Sequence, residues 1–531
     1  MLIMKNYFLF LLFILPFGKC YLQTANDHVP PYEGTAFLGT NMGYFPGWTD
    51  EQLADIAMGD PKRDIVGAGM ETMRPALYDH FLEKWGYDAR VNAFQHYLDL
   101  GMKDLVCFIG EASEEHREKK YYCEGVEPSK HFANIYEPIW DNGENGTPVN
   151  DENYFALFVY KTVSKYGPYV KIWEIWNEPD LADRDFKGNS YAKPGTRGSW
   201  WDENPDPCTY KMRAPIFHYV RTLRIAYEVI KKTDPSAFVA IGGIGYPSFL
   251  DAVCRNTDNP ADGSVKEGEF PLKGGAYFDV MSYHAYPHID GSLREWQNFP
   301  PGWSYERTSD KAVAGVFDQR DRFRNVLDKY GYDGKTYPKK HWIITEVNIP
   351  RKQVKDFIGS EEAQRNFLIK LAAESKKENI KQLHLYNLAE GTRIHPTADD
   401  EFAFMGIYET LNDTPLYKHK KTQGGIAYET ACLLMKNTVF DEEETARLPK
   451  QDGVKAYAFL DEKNDPLYVL WAECKKDQSE EAKASYPILD QWRKEGMEIH
   501  YWDHAVSKKT EDFYRPELRL DGTPIFLKCP K

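Results

Sequence analysis

The fold is decided by residues 173–180, which read Trp-Glu-Ile-Trp-Asn-Glu-Pro-Asp. With the apolar residues from Tyr169 onward, they have the apolar density of a strand that is covered on both faces. Proline then ends the strand, because it has no amide hydrogen to donate to a neighbouring strand and it restricts the residue before it. The segment therefore predicts a buried strand that ends on an amide, Asn177, and a carboxylate, Glu178.

A second segment, residues 341–348, has the same pattern and reads His-Trp-Ile-Ile-Thr-Glu-Val-Asn. Its apolar strand ends on one carboxylate, Glu346. In an eight-stranded barrel, the catalytic groups come from the carboxyl ends of different strands. Cleavage of a glycosidic bond needs two carboxyl groups that face each other across the anomeric carbon, so Glu178 and Glu346 are candidate catalytic residues.

The rest of the chain alternates between strands and helices, as a parallel barrel requires. Helical periodicity with a basic last turn occurs at 153–166, 214–232, 312–329 and 363–377. Eight strands are predicted, near residues 36–41, 66–74, 103–109, 169–177, 237–243, 277–284, 341–347 and 381–388. We therefore predict an α/β fold of the (β/α)8 TIM barrel type.

The strand-terminal Asn177-Glu178-Pro179 and the later Thr345-Glu346 resemble motifs of clan A of the glycoside hydrolases. The resemblance implies a retaining enzyme for a β-linked carbohydrate, with Glu178 as the acid/base on the fourth strand and Glu346 as the nucleophile on the seventh. Asn177 would bind the 2-hydroxyl of the sugar. Glu178 then needs a raised pKa while it donates its proton.

Other strand ends extend this resemblance. The sixth predicted strand places His284 and Tyr286 on one face by its period of two, where the clan has a His or Tyr that contacts the sugar or the nucleophile. The second strand ends on Arg74, which would support the nucleophile, and the first ends near Asn41. The alternatives are that Arg74 is a structural ion-pair partner and that His284 is a satisfied core residue.

The eighth predicted strand departs from many members of the clan, which often place a tryptophan here as the floor of the cleavage subsite. Tyr386 or Asn387 takes that position in this chain. Residues 40–48 are loosely similar to the agarases and porphyranases of family 86, and the β-xylosidases of family 39 are another candidate family.

Long insertions follow the third, fourth and sixth strands, on the face where the loops of a barrel build its active site. They span 110–151, 180–213 and 287–311, and loops of this length are uncommon unless they are functional. Four tryptophans in them are candidate stacking platforms for sugar rings: Trp200, Trp201, Trp296 and Trp303. The alternative is that each tryptophan pins its own loop to the barrel.

After about residue 425 the sequence changes to antiparallel strands, at 453–460, 466–472, 498–502 and 523–527. This part resembles the small β-sandwich that accompanies many clan A barrels, and residues 21–35 are a candidate source of its first strands. We expect it to support the barrel rather than to bind a second sugar. The predicted domains are a signal peptide at 1–20, the barrel at 21–425 and the β-sandwich at 426–531.

The first 20 residues predict a signal peptide, with Lys5 before an apolar run that is too short to span a bilayer. We expect export to the periplasm or the medium, and a lipid anchor on Cys20 is the alternative. No later stretch is predicted to span a membrane. Cys123 and Cys208 lie in the insertions, where a disulfide would suit an oxidising compartment, whereas Cys107 reads as a small buried hydrophobe.

Composition excludes other classes of function. The net charge of −15 and the pI of about 5.5 argue against a nucleic-acid partner and against an anionic membrane surface. The cysteines and histidines lack the spacing of zinc ligands and the Asp-Gly runs lack the calcium-loop pattern, so we expect neither a metal nor another cofactor. The sequence does not determine the oligomeric state.

Three functions are open at this point. The long aromatic insertions favour an endo-acting enzyme on a polysaccharide over an exo-β-glycosidase of the same clan. A non-catalytic glycan-binding protein that kept the barrel is the third possibility, since a fold does not fix activity. The two glutamates, with Asn177, His284 and Tyr286, favour catalysis, because binding needs aromatic rings more than a matched carboxyl pair.

Overall fold

The computed structural model describes residues 23–125, 127–181, 194–209, 211–391, 400–412, 414–513 and 515–529. The predicted signal peptide at 1–20, including Cys20, lies outside the described residues. Within them, no helix combines the length and the apolar character that crossing a bilayer would need.

The strands, in chain order, are β1 Leu38–Thr40, β2 Thr72–Met73, β3 Ala76–Tyr78, β4 Leu105–Gly110, β5 Val170–Asn177, β6 Phe238–Gly243, β7 Val280–Ala285, β8 Arg294–Asn298, β9 Pro301–Tyr305, β10 His341–Val347, β11 Gln382–Leu385, β12 Val439–Phe440, β13 Val454–Leu460, β14 Pro466–Ala472, β15 Lys483–Pro487, β16 Glu498–His500, β17 Thr510–Glu511, β18 Glu517–Asp521 and β19 Ile525–Lys528. The α-helices are α1 Asp50–Met58, α2 Asp79–Trp85, α3 Val91–Asp99, α4 Tyr154–Tyr166, α5 Ile216–Thr233, α6 Pro247–Arg255, α7 Ser309–Lys329, α8 Glu361–Lys377, α9 Gln423–Leu434, α10 Glu442–Arg447, α11 Asp490–Lys494 and α12 His504–Ser507. Short 3-10 helices lie at Pro61–Arg63, Pro207–Thr209, Gly274–Tyr277 and Glu401–Phe404.

Nine parallel strands form one curled sheet in the order β2-β1-β11-β10-β7-β6-β5-β4-β3. Its two outer members, β2 and β3, are separated in the chain only by Arg74 and Pro75. The hydrogen bonding continues across this gap, since the Arg74 amide donates to Thr40 O and the Phe108 amide donates to Pro75 O, both at 3.1 Å. The segment β2–β3 thus lies between β1 and β4 like one interrupted strand, which is consistent with a TIM barrel.

The predicted alternation of strands and helices is confirmed, with most ends shifted by only a few residues. The four predicted helices correspond to α4, α5, α7 and α8. Asn153, Thr308 and Ser360 cap three of them by accepting a hydrogen bond from a backbone amide of the first turn. The second predicted strand differs most, because regular pairing begins only at Thr72 and extends beyond Pro75.

The strands of the barrel carry an apolar layer with a polar layer above it. The apolar layer is a separate core cluster, and Tyr32 packs against it: Val106, Ile172, Phe238, Ala240, Val280 and Ile343. Two residues further along their strands, on the same face by the period of two, lie Glu174, Ser282 and Thr345, all fully buried. Cys107 belongs to the large core cluster, as the sequence predicts.

Residues 23–35 contain no strand, so the expectation that they begin the C-terminal sheet is wrong. They run along the barrel instead. The Ala25 amide donates to Ala276 O at 3.0 Å, and His341 Nε2 lies 2.7 Å from Pro30 O. This segment therefore covers one end of the barrel with backbone rather than with a strand.

The antiparallel strands predicted after residue 425 are present. Six form one sheet in the order β12-β13-β14-β19-β16-β17, and β15 pairs separately with β18. A second apolar cluster includes side chains from both sheets, such as Leu470 and Leu520. Trp471 Nε1 donates to Asp310 at 2.7 Å on α7, so this part lies against the barrel helices. The two-layer β-sandwich and the boundary at 425, which falls inside α9, remain predictions.

The candidate disulfide between Cys123 and Cys208 is present, with Cα atoms 5.8 Å apart and a sequence separation of 85. It joins the insertions that follow β4 and β5. Closing a loop of this length restricts the unfolded chain, which stabilises a protein by about 2–4 kcal/mol. We therefore expect the Cys123→Ser/Cys208→Ser variant to unfold at a lower urea concentration while its far-ultraviolet circular dichroism stays unchanged. An unchanged urea midpoint would contradict this expectation.

Candidate active site

The predicted site residues converge at the carboxyl ends of the barrel strands. Asn41 follows β1, Arg74 follows β2, Glu178 follows β5, His284 lies in β7 and Glu346 lies in β10. Because all these strands are parallel, their carboxyl ends meet at one face of the barrel. Residues that are far apart in sequence can therefore act on one bound molecule.

Glu178, His284 and Glu346 form the centre of this face. One carboxylate oxygen from each glutamate and one ring nitrogen of His284 lie within 4.8 Å of one another. All three line a cleft of about 930 Å³. Two carboxyl groups thus share one region of a cavity in which a substrate can be held.

The end of β5 has an unusual backbone that brings Asn177 and Glu178 to the cleft together. Successive residues of a strand normally point to opposite faces. Here Trp176 and Glu178 have φ angles of 78° and 49°, in the left-handed region that residues other than glycine seldom adopt. The chain turns at these two residues, so both side chains line the cleft.

Arg74 connects the two halves of the site. Its Nε donates to Glu174 at 2.7 Å, and Nη1 donates to Glu346 at 2.8 Å and to Asn41 at 3.0 Å. Its Nη2 donates to Asn177 Oδ1 at 2.7 Å. One buried guanidinium therefore orients both the amide beside Glu178 and the opposite carboxylate. Asn41 helps to fix the position of Arg74. Its Oδ1 accepts from Arg74, while its Nδ2 donates to the carbonyl oxygens of Thr345 and Leu385.

Glu174 is a buried partner of Arg74 that the sequence prediction did not include. Its Oε1 accepts from Ser282 Oγ at 2.5 Å and from Thr345 Oγ1 at 2.9 Å, and its Oε2 faces Arg74. A signal was available, because Glu174 is two residues after Ile172 and must share its buried face. A carboxylate in that environment requires a buried cation or several donors.

His284 lies between the two glutamates. Its Nδ1 is 2.8 Å from Glu178 Oε1 and 3.6 Å from Glu346 Oε2, and its Nε2 is 3.1 Å from Thr345 Oγ1. The ring fits only because residue 243 is glycine, since a Cβ there would lie 2.0 Å from His284 Nε2. His284 is therefore a buried histidine that contacts both candidate glutamates.

The proton of this cluster is shared between Glu178 and His284. Burial opposes the charged form of Glu178, but the hydrogen bond and charge of His284 outweigh it, so the pKa of Glu178 lies below its ordinary value. Burial also opposes the charge on His284, but Glu346 and then Glu178 raise its pKa. Both shifts favour a charged pair of a deprotonated Glu178 and a protonated His284, whereas the sequence predicts a raised pKa for Glu178.

Aromatic side chains complete the wall of the cleft. Tyr286 donates its hydroxyl to Glu346 Oε2 at 2.7 Å. Its ring meets those of Tyr386 and Phe402 edge to face, at 6.1 and 5.0 Å between centroids. Trp201 also lines the cleft. Phe402 was not predicted, because it follows the last barrel strand by a long loop and no motif marks it.

The sequence matches no family model and no curated protein. In structure, the chain is similar to a family 39 glycoside hydrolase from the gut symbiont Bacteroides cellulosilyticus WH2, with a TM-score of 0.56 and 15% identity over 93% of this chain and 80% of that chain. The fold resembles that of a family 39 glycoside hydrolase. The resemblance predicted from the sequence is thereby confirmed at the level of the fold.

The chain is also similar to two further solved structures. One is the catalytic domain of the family 30 xylanase C from Talaromyces cellulolyticus, with a TM-score of 0.48 and 11% identity over 94% of this chain and 98% of that chain. The other is a glucosidase from Croceicoccus marinus, with a TM-score of 0.49 and 12% identity over 93% and 99%.

Six of the predicted binding residues do not line the cleft. Arg74 and Asn41 lie behind it and hydrogen-bond to each other, and the other four lie elsewhere. Trp200 is 2% exposed and packs edge-on against Phe249 at 4.7 Å, so it pins its own loop. Asn387 is 1% exposed and does not line the cleft. Trp296 and Trp303 pair across the β8–β9 hairpin at 5.4 Å, where both are about half exposed but outside the cleft lining.

Two groups of acidic and histidine side chains in the described chain come close enough to share an ion. One is the cluster of Glu178, His284 and Glu346, and the other consists of Asp79, Glu83 and His116. In the second group, Asp79 Oδ2 already lies 2.9 Å from His116 Nδ1. Direct hydrogen bonds account for both arrangements, and we assign no ion to either.

Asp180 is a further cleft residue that the sequence prediction did not include. Its Oδ2 accepts from the amides of Gly245 at 2.7 Å and Tyr246 at 2.8 Å, which ties the loop after β5 to the loop after β6. Burial, followed by the charge of Glu178, raises the pKa of Asp180 from 3.8 to about 7. A neutral acid therefore lies beside Glu178 over much of the acidic pH range.

We expect Asp180→Asn to reduce the pH dependence of stability. The folded pKa of Asp180 is raised, so the stability it contributes is complete below about pH 4 and is lost as the pH rises through about 7. Asparagine keeps an oxygen for the two amides and carries no charge. The free energy of unfolding of the variant in urea should therefore fall less between about pH 4 and 7 than that of the wild type, by about 1.4 kcal/mol per pKa unit removed. The exposed Asp452→Asn is the control, and parallel pH curves for Asp180→Asn and the wild type would refute the expectation.

Proposed function

We propose that the protein is an exported retaining glycoside hydrolase that cleaves a β-linked polysaccharide within the chain. The observation that carries the proposal is the approach of Glu178 and Glu346 oxygens to within 4.8 Å in one cleft. Retaining enzymes hold their carboxyl groups about 5–5.5 Å apart, whereas inverting enzymes leave about 6.5–9.5 Å for a water. The short approach supports the retaining class.

In the proposed mechanism, Glu346 attacks the anomeric carbon and forms a covalent glycosyl-enzyme. Tyr286 and Arg74 each bind one oxygen of its carboxylate, which fixes the carboxylate plane toward the sugar. The Oδ1 atom of Asn177 accepts from Arg74, which leaves the Asn177 side-chain nitrogen to donate to the 2-hydroxyl of the sugar. The second step reverses these roles, because water attacks the same carbon.

The proton comes from the Glu178–His284 pair, which holds one proton between them. The charge of Glu346 raises the proton affinity of His284. As Glu346 becomes an ester that charge is lost, so the pair releases its proton to the leaving oxygen. When Glu346 departs, the charge returns and the pair takes a proton from the attacking water. One charge thus drives both the acid and the base step.

The proposal extends to the organisation of the chain. Residues 1–20 would direct export, residues 21–425 would form the catalytic barrel, and residues 426–531 would form a β-sandwich that supports it. The contact of Trp471 with Asp310 on α7 favours support over a second binding site, since that ring is buried.

The test is incubation with a panel of plant and algal polysaccharides, followed by measurement of new reducing ends and of product length. We expect long products first and a rapid fall in viscosity. Release of single sugars alone would indicate the exo-acting alternative. Binding without any new reducing ends would indicate a non-catalytic glycan-binding protein. The Glu346→Gln variant is the control for contaminating activity.

A further inference from the structure

The cleft extends beyond the catalytic cluster along two helices. From α6 it is lined by Ser248 and Asp251, which belong to the first two turns of that helix. From α7 it is lined by residues spaced three or four apart, which therefore share one face: Gln319, Arg322, Asn325, Val326 and Lys329. This outer part of the cleft is continuous with the position where the bond would be cut.

Three cationic side chains line the cleft outside the catalytic cluster, namely Lys211, Arg322 and Lys329. Lys329 lies 2.6 Å from Asp251 and is paired. Across the residues that the structure describes, Lys211 and Arg322 form no ion pair, and both are exposed. The charge of Lys211 nevertheless reaches the catalytic cluster, since it helps to lower the pKa of Glu178.

The acids along the same walls are already engaged. Asp251 contacts both Arg255 and Lys329. Asp180 accepts from two backbone amides, and Asp290 accepts from the Ser292 amide at 2.8 Å. Burial raises the pKa of Asp290 as it does that of Asp180. The charge of Arg322 acts on Asp290 and partly offsets this shift, but the two groups form no ion pair. Among the described residues that line the cleft, Lys211 and Arg322 are thus the cations without an ion pair, whereas these three acids each have a direct partner.

This local charge differs from that of the whole protein, whose net charge is −15. At physiological ionic strength, charges more than about 8 Å apart are largely screened, so the distant surface acids do not cancel Lys211 and Arg322. A neutral polysaccharide has no group that would use these two cations. An anionic one would form charge-assisted hydrogen bonds with them.

We propose that Lys211 and Arg322 bind an anionic substituent, a carboxylate or a sulfate, on a sugar unit beyond the cleavage subsite, so that the preferred substrate is an acidic polysaccharide. This inference rests on the proposed function, because it assumes that a glycan occupies the cleft. It adds the chemical class of that glycan.

The first test compares Arg322→Gln and Lys211→Gln/Arg322→Gln with the wild type, using an alginate, a pectate and a sulfated galactan beside neutral polymers. Each lost ion pair should raise KM for the acidic polymer roughly two- to fivefold with little change in kcat, as expected for exposed pairs. KM for a neutral polymer should not change. Lys335→Gln, an exposed lysine away from the cleft, is the matched control.

The second test distinguishes a bound sulfate from a bound carboxylate. It also distinguishes failure of the acidic-substrate proposal from failure of the proposed glycosidase function. Chemical desulfation and carboxyl reduction of the polymer identify which group is bound. Binding is measured by affinity electrophoresis with the Glu346→Gln variant, which does not depend on turnover. Cleavage of neutral polymers but not of acidic ones, or a KM for the acidic polymer that Arg322→Gln leaves unchanged, would overturn the acidic-substrate proposal alone. Arg322-dependent binding of an acidic polymer without cleavage by the wild type would overturn the proposed function alone.

Discussion

Glu346→Ala is expected to abolish turnover of every glycoside that the wild type cleaves. The variant has no carboxylate to attack the anomeric carbon, and loss of a catalytic nucleophile commonly lowers kcat by at least roughly 10⁴-fold. Folding should survive, because Arg74 keeps Glu174 as its buried partner. The measurement is the rate of new reducing ends per folded protein, with the exposed Glu462→Ala as a control variant.

Glu178→Ala should behave differently, although it also removes one carboxylate. The loss of general acid and base catalysis typically costs about 10²–10⁴-fold, and less with an aryl glycoside whose leaving group needs no proton. The glycosyl-enzyme then accumulates, because no base activates water. Sodium azide should restore turnover with this substrate and give a glycosyl azide of retained configuration. Full activity of either variant without azide, or an azide product of inverted configuration, would refute the assignment of the two glutamates.

Arg74→Leu is expected to destabilise the protein more than any other single exchange in the site. Glu174 has a fully buried side chain and its Oε2 lies 2.6 Å from Arg74 Nη2. Removing the cation leaves an uncompensated buried charge, which costs about 3–5 kcal/mol. The urea midpoint should fall accordingly, and activity should fall with it because Glu346 and Asn177 lose a shared donor.

The double variant Arg74→Leu/Glu174→Gln separates stability from catalysis. It removes the buried charge together with its partner, while the glutamine oxygen still accepts from Ser282 and Thr345. We expect it to regain much of the lost stability and none of the lost activity. A double variant as unstable as Arg74→Leu, or an Arg74→Leu protein with the wild-type urea midpoint, would show that the pair does not have this role.

The strands that carry the two glutamates could be predicted from sequence because their signal is local. The apolar runs of β5 and β10 and the polar residues that end them lie within eight residues each. The left-handed turns at Trp176 and Glu178 could not be predicted, since neither residue type favours that backbone. They depend on the surrounding structure.

Other features depend on partners that are distant in sequence. The position of Trp200 in the core is set by Phe249 on α6, and the charge state of Glu178 is set by His284. A local pattern contains neither piece of information. Glu174 is the exception, because its place two residues after Ile172 and the burial of that face already required a cation. Arg74 was the candidate, at the end of another strand of the same sheet.

The contact between Gly243 and His284 constrains how such a site can diverge. The nearest approach leaves no volume for even a methyl group at residue 243 while an imidazole occupies residue 284. In a homologous protein with alanine at residue 243, the imidazole at residue 284 would have to move away from the two glutamates or be replaced by a smaller side chain. We therefore expect glycine at the first position to accompany histidine at the second, although 40 residues lie between them along the chain.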